Sequence, residues 1–251
     1  MIGNAQPFYV SDTQWRTLLD TIGGAIMGTS FVSERFFCIL SGLSGIAGVV
    51  MLGLSFALAV APPANATRDE LIRFGQEHYA SILWGAWLQA VGPVFIVLFA
   101  FALVHLAGAA QRLAGWMSLF GATVLMTVSL MEITYYISAL FPDPDVMTAV
   151  SLKVIFAVQH LYFIVAAPTL FLPLGFVLVD SRILPRVFGY LAMTLAVIFA
   201  SLGIAFQLRL MLPAGVTAFA GIQALWWLAA AILLVARCGR ISHSRARKCD
   251  L

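Results

Sequence analysis

The stretch YASILWGAWLQAVGPVFIVLFAFALVHL, residues 79–106, decides the fold. It contains no Asp, Glu, Lys or Arg. A helix crosses the hydrocarbon core of a bilayer with about 20 apolar residues, and this run is longer than that. Apolar residues follow one another without period-two alternation, which selects a helix over a barrel strand.

Five further stretches of the same kind lie near Phe36–Ala61, Leu113–Leu140, Lys153–Val179, Arg186–Leu208 and Ala214–Ala236. Pro62, Pro63, Pro142, Pro144, Pro185 and Pro213 fall at the breaks between them, where a helix must stop or restart. Composition agrees. The 251 residues are 62% hydrophobic and 10% charged, with a mean hydropathy of +0.98. A soluble domain runs nearer half apolar and a quarter charged, and disorder needs the opposite bias. Nucleic acid is excluded as a partner, because the net charge of +3 comes mainly from one short tail.

Basic residues set the expected orientation. Arg16, Arg35, Arg112, Arg182 and Arg186 fall on one side of a six-span chain, together with Arg237, Arg240, Arg245, Arg247 and Lys248. On the other side Arg68 and Arg73 are offset by Asp69, Glu70 and Glu77. The positive-inside rule therefore puts both termini in the cytoplasm. The expected fold class is all-α, a six-transmembrane-helix bundle preceded by an N-terminal amphipathic interfacial helix. Residues 1–35 form the N-terminal cytoplasmic and interfacial segment, 36–236 the transmembrane domain, and 237–251 a basic cytoplasmic tail. Ser11 and Gln14 offer a capping box, and Trp15, Leu18, Leu19, Ile22 and Ile26 share one helical face behind it. No cleavable signal peptide is expected, since Asp12, Arg16 and Asp20 interrupt the first 30 residues. A second capping box, Thr67-x-x-Glu70, starts a helix outside the membrane that continues into the second span.

The three cysteines, Cys38, Cys238 and Cys249, show neither a CxxC nor an even-numbered framework, so no disulfide scaffold is expected. Their spacing fits no zinc pattern, and no metal or cofactor is expected. In the first span Ser41, Gly42, Ser44, Gly45 and Gly48 follow the small-xxx-small pattern of close helix contact. The Gly42/Gly45/Gly48 face packs on another span, on a second copy of the chain, or on another subunit of a membrane complex.

Polar groups inside spans are expensive and therefore informative. At about 1.5 Å per helical residue, Gln89 lies roughly 15 Å, and Glu132 roughly 12 Å, below the outer ends of spans two and three. Lys153 begins span four, Gln159 and His160 follow about 10 Å deeper, and Gln223 lies about 13 Å down span six. Gln207 is within a turn of the outer end of span five. All fall in the outer half. Lys153 and His160 share a helix face, and Tyr135 and Tyr136 follow Glu132 at i+3 and i+4.

This pattern predicts an outward-facing intramembrane pocket for a small apolar molecule or lipid. Its expected ligand-binding residues are Gln89, Tyr135, Tyr136, Lys153, Gln159 and Gln223, with Trp84, Trp87 and Trp226 as aromatic walls; Tyr162 and Trp227 are further wall candidates. Each has a plainer role beside this one: snorkelling for Lys153, hydrogen bonds between helices for the glutamines, and core packing for the tryptophans. Glu132 and His160 are the catalytic candidates of an alternative reading. There an isomerase or cyclase acts on a lipid or terpenoid-like substrate, with Glu132 as general acid or base and His160 or Lys153 tuning it. A third reading is a structural subunit docked through the glycine face. Pro93, Pro168 and Pro173 lie inside spans and predict kinks that widen the bundle below the polar groups.

Three further stretches are distinctive: the run Phe156-Ala-Val-Gln-His-Leu-Tyr-Phe163, the Leu-Pro-Leu-Gly of 172–175 and the Asp180-Ser-Arg-Ile-Leu-Pro-Arg-Val-Phe-Gly-Tyr190 turn. With the Leu-Gln-Ala segment of 88–90, they resemble a broad group of small multi-pass bacterial membrane proteins of unknown function. The resemblance covers about two thirds of the chain. It implies a helical bundle in the bacterial inner membrane and carries over no catalytic residues.

Overall fold

The computed structural model describes residues 30–58, 67–138, 150–151, 154–155, 157–158, 160–181, 183–207 and 221–238. These are helical apart from short turns, and no strand occurs among them. The helices are α1 (Ser30–Leu58), α2 (Arg68–Glu77), α3 (Tyr79–Leu106), α4 (Leu113–Ser138), α5 (Ala167–Asp180) and α6 (Arg186–Gln207). A final helix, α7 (Gly221–Cys238), completes the series. A π-helical segment, Tyr162–Ala166, leads directly into α5. Six helices among the described residues are long and apolar enough to cross a membrane, and each overlaps one of the six stretches read from the sequence, the fourth and sixth starting later, at Tyr162 and Gly221. The interfacial helix expected over residues 11–26 lies outside the described residues.

Within hydrocarbon the chain must satisfy its own polar groups. Short hydroxyl side chains do so locally. Ser41, Ser118, Thr127, Thr169 and Thr194 each donate to the carbonyl four residues back, so none requires a partner across the bundle. Outward faces carry large apolar side chains such as Phe36, Phe56, Trp116, Phe120 and Val197. That surface suits lipid tails rather than water. Inside, α3 and α5 are the most deeply buried spans, with Phe99, Leu103, Leu170, Phe171 and Leu174 fully enclosed.

The ends of the helices follow local chemistry. After α3 the chain turns at Gly108, whose φ of 63° only glycine adopts at no cost. Gly108 N–H donates to the His105 carbonyl and Ala109 N–H to that of Val104, the two bonds of a Schellman motif. Pro185 precedes α6 and accepts from the Phe188 N–H, as its place in the sequence predicts. At Thr67 the capping box forms in part. The Glu70 carboxylate accepts from the Thr67 N–H at 2.7 Å and from its hydroxyl at 2.9 Å. These bonds, the backbone one first, hold the Glu70 pKa below its ordinary 4.5. His78 then forms a turn between α2 and α3, so the two are distinct helices rather than one continuous rod.

The small residues of α1 are buried within the chain. A Cβ at Gly42 would meet Val235 of α7, one at Gly45 would meet Phe99 of α3 and Ala231 of α7, and one at Gly48 would meet the Gly92 carbonyl of α3. Ser44 and Ser55 donate to the carbonyls of Phe95 and Gly85 in α3. The face considered above as a docking surface is thus filled by the chain's own helices. A second glycine crossing, Gly175 against Gly189, brings α5 and α6 together.

One expectation is corrected. Cys38 and Cys238 form a disulfide, with Cα atoms 5.8 Å apart and a sequence separation of 200. Cysteine spacing held no sign of it, because the pair meets only when the first span lies beside the last. The bond joins α1 and α7 at the end of the bundle that carries Arg35, Arg112, Arg186 and Arg237, hereafter the basic end.

Candidate functional site

The π segment positions the most informative side chains. Pro168 has no N–H to donate back along the helix, and the preceding turn widens so that Ala167 N–H bonds the Tyr162 carbonyl instead. At Pro168 the helix thus carries a π turn, which lies at the level of the polar groups rather than below them. Widened turns of this kind recur at functional sites because they re-aim side chains. Here Tyr162 is aimed across the bundle. Its hydroxyl donates to Oε1 of Gln223, near the start of α7. Glu132, in the last two turns of α4, interacts electrostatically with the phenols of Tyr136 and Tyr162. Glu132, Tyr136, Tyr162 and Gln223 therefore form a polar cluster linking α4, the π segment and α7, away from the basic end.

Ser138 and Ser151 close the cluster's rim with a hydroxyl–hydroxyl bond of 2.8 Å between the end of α4 and the helical residues ahead of the π segment. His160, half-buried, stands two residues before Tyr162 on the same stretch. Tyr135 is half-buried and packs against the apolar core. Gln89 is buried in α3 at 8% exposure, a turn from the carbonyl that Ser55 bonds. Lys153 and Gln159 lie outside the described residues, as does the side chain of Gln207.

The tryptophans part company. Trp84 and Trp87 lie edge to face with ring centroids 6.2 Å apart, but they are 61% and 51% exposed on the outer surface of α3. They do not reach the cluster. Trp226 is buried, and its indole N–H donates to the Phe188 carbonyl at 3.1 Å, near the Arg186 end of α6. It serves the basic end. Trp227 instead stands one helical turn from Gln223, at i+4, which puts both on one face of α7. Its ring contacts Phe99, Phe171 and Trp226. An aromatic series runs from it through Phe171 and Phe199 to Tyr162, with successive centroids 5.3, 6.2 and 5.9 Å apart.

Sequence reasoning placed Tyr162 among the aromatic walls and missed its role as the donor that ties α7 to the cluster. The available signal was Pro168, which displaces the turn on which Tyr162 sits.

The fold and the cluster define a class, that of polytopic helical membrane proteins with polar side chains gathered inside the bundle. No family model, curated protein or solved structure matches the chain.

Proposed function

We propose that the chain binds a small, largely apolar molecule or lipid between α4, the π segment and α7. The observation that carries this reading is the Tyr162–Gln223 bond beside Glu132, built on a turn that Pro168 widens. Deeply placed polar groups are costly in a bilayer, and helix-to-helix glue needs neither a carboxylate nor a π turn. The charge rule makes the basic end cytoplasmic, so the site faces the outside of a bacterial inner membrane. The disulfide then lies on the cytoplasmic side, where thiols are normally kept reduced. Its cysteines are each 2% exposed, which shelters them from aqueous reductants.

A second reading rests on one observation, the carboxylate of Glu132 within electrostatic range of two phenols. A carboxylic acid with phenolic partners is suited to moving a proton to or from a bound lipid. Native mass spectrometry of protein released in mild detergent tests the first reading. A stoichiometric small-molecule adduct on the wild type that Tyr162→Phe weakens is expected; a bare protomer would overturn it. Glu132→Gln separates the two readings, since a passive site retains the adduct unchanged while an enzyme accumulates unconverted substrate. Orientation is tested with Cys249 in the tail. A membrane-impermeant maleimide added to intact cells should leave it unlabelled until the membrane is permeabilised.

A further inference from the structure

The indole N–H of Trp227 is buried at 2% exposure and meets no hydrogen-bond acceptor in the protein among the described residues. Leaving such a donor unmade costs about 1–3 kcal/mol in a protein interior. A buried tryptophan N–H usually finds a hydrogen-bond partner, so this one is available to a bound molecule. Its neighbour on the same face of α7 is Gln223, whose Oε1 is taken by the Tyr162 hydroxyl, so the other end of that amide can only donate. Trp227 and Gln223 thus stand one turn apart on one face of α7, and the Trp227 ring packs on Phe99 and Phe171.

We propose that the molecule bound at this site is uncharged and carries a carbonyl oxygen that accepts from Trp227 Nε1–H, with its apolar body against the surrounding rings. The assignment rests on the binding reading above and deepens it. Donors on α7 select an acceptor. The apolar walls select against charge, because an ion would lose its hydration without a paired counter-charge at Trp227. A ketone, an ester or a quinone meets both conditions, and a free alkane meets only the second.

The test is a titration of ¹⁵N-tryptophan-labelled protein in detergent micelles with 2-undecanone, and in parallel with undecane. The six tryptophans give six indole signals, and the Trp227 signal is identified by its loss in Trp227→Phe. The expected result is a saturable downfield movement of the Trp227 indole proton with the ketone and none with the alkane. The Trp226 signal, already bonded to Phe188, should stay in place. If the Gln223 side-chain amide responds to the ketone while the Trp227 indole stays still, the binding reading stands and the acceptor assignment falls. An equal response to both probes, or an indole that exchanges magnetisation only with water, also overturns the assignment. With no response at either residue and no adduct by mass spectrometry, both fall together.

Discussion

The two ends of the bundle are held by different means. At the basic end a disulfide joins α1 to α7, Trp226 bonds a backbone carbonyl, and Gly42 and Gly45 let helices touch along α1. Away from it, the Tyr162–Gln223 and Ser138–Ser151 contacts are side chain to side chain, and a π turn interrupts the helix that supplies Tyr162. Covalent and apolar contacts fix one geometry. Polar side-chain contacts within a membrane are worth little individually and exchange readily for bonds to another molecule. The basic end is thus tied by a covalent bond, and the polar cluster by side-chain hydrogen bonds.

The contrast breaks most severely at the disulfide. Removing a native disulfide typically costs about 2–5 kcal/mol, and one closing so long a loop lies towards the upper part of that range on chain-entropy grounds. Cys38→Ser and Cys238→Ser should each lower the thermal midpoint in detergent by the same amount, and the double variant no further. Unequal or additive losses would mean that the bond does not carry the basic end. Gly45→Leu comes next. It forces a side chain into Phe99 and Ala231, an overpacking worth about 1–3 kcal/mol, with α1 displaced from α3 and α7. Unchanged stability in that variant would show that α1 is only loosely docked.

The legibility of the sequence divides along the same line. Every span could be read, because about 20 apolar residues in a row have one solution in a bilayer. Pro185 and the Thr67–Glu70 pair marked helix starts for reasons local to the chain. Glu132, Tyr136 and Gln223 were legible as a group, since depth follows from counting along helices. Helix rotation was not. Trp84 and Trp87 lie at the expected depth but face outward, and no moment distinguishes the faces of a helix that is apolar all round. The Cys38–Cys238 pair was invisible for a related reason. Its two residues become neighbours only through the order in which six helices pack.

On the polar side the effects are smaller. Tyr162→Phe removes the hydroxyl that Gln223 accepts and should cost about 0.6 kcal/mol in stability, the average for hydrogen bonds between membrane helices. Circular dichroism melting against the wild type checks this, and a loss of several kcal/mol would mean that the cluster is structural rather than exchangeable. At the basic end, Arg112 pairs with Asp180, both more than half exposed. An ion pair in that setting contributes about 0–1 kcal/mol, so Arg112→Ala should leave the melting curve close to that of the wild type. A large loss there would show that the loop after α3, and not only the disulfide, closes this end.

The smallest effect is the most local. Glu70 is fully exposed, and its pKa lies below 4.5 because the Thr67 backbone N–H, then the Thr67 hydroxyl, bond the charged form. A folded-state pKa below the unfolded one means that the unfolded chain binds the proton more readily. The contribution of this cap is therefore complete above 4.5 and disappears as the pH falls through the folded-state value. Thr67→Ala removes the hydroxyl but keeps the N–H, which is the larger cause. The Glu70 carboxyl carbon, followed by NMR over an acid titration, should thus titrate higher in Thr67→Ala than in the wild type, yet still below the ordinary value. Complete return to that value would assign the whole shift to the hydroxyl. The start of α2 would then be held by a side-chain contact alone, as the polar cluster is, rather than by the backbone.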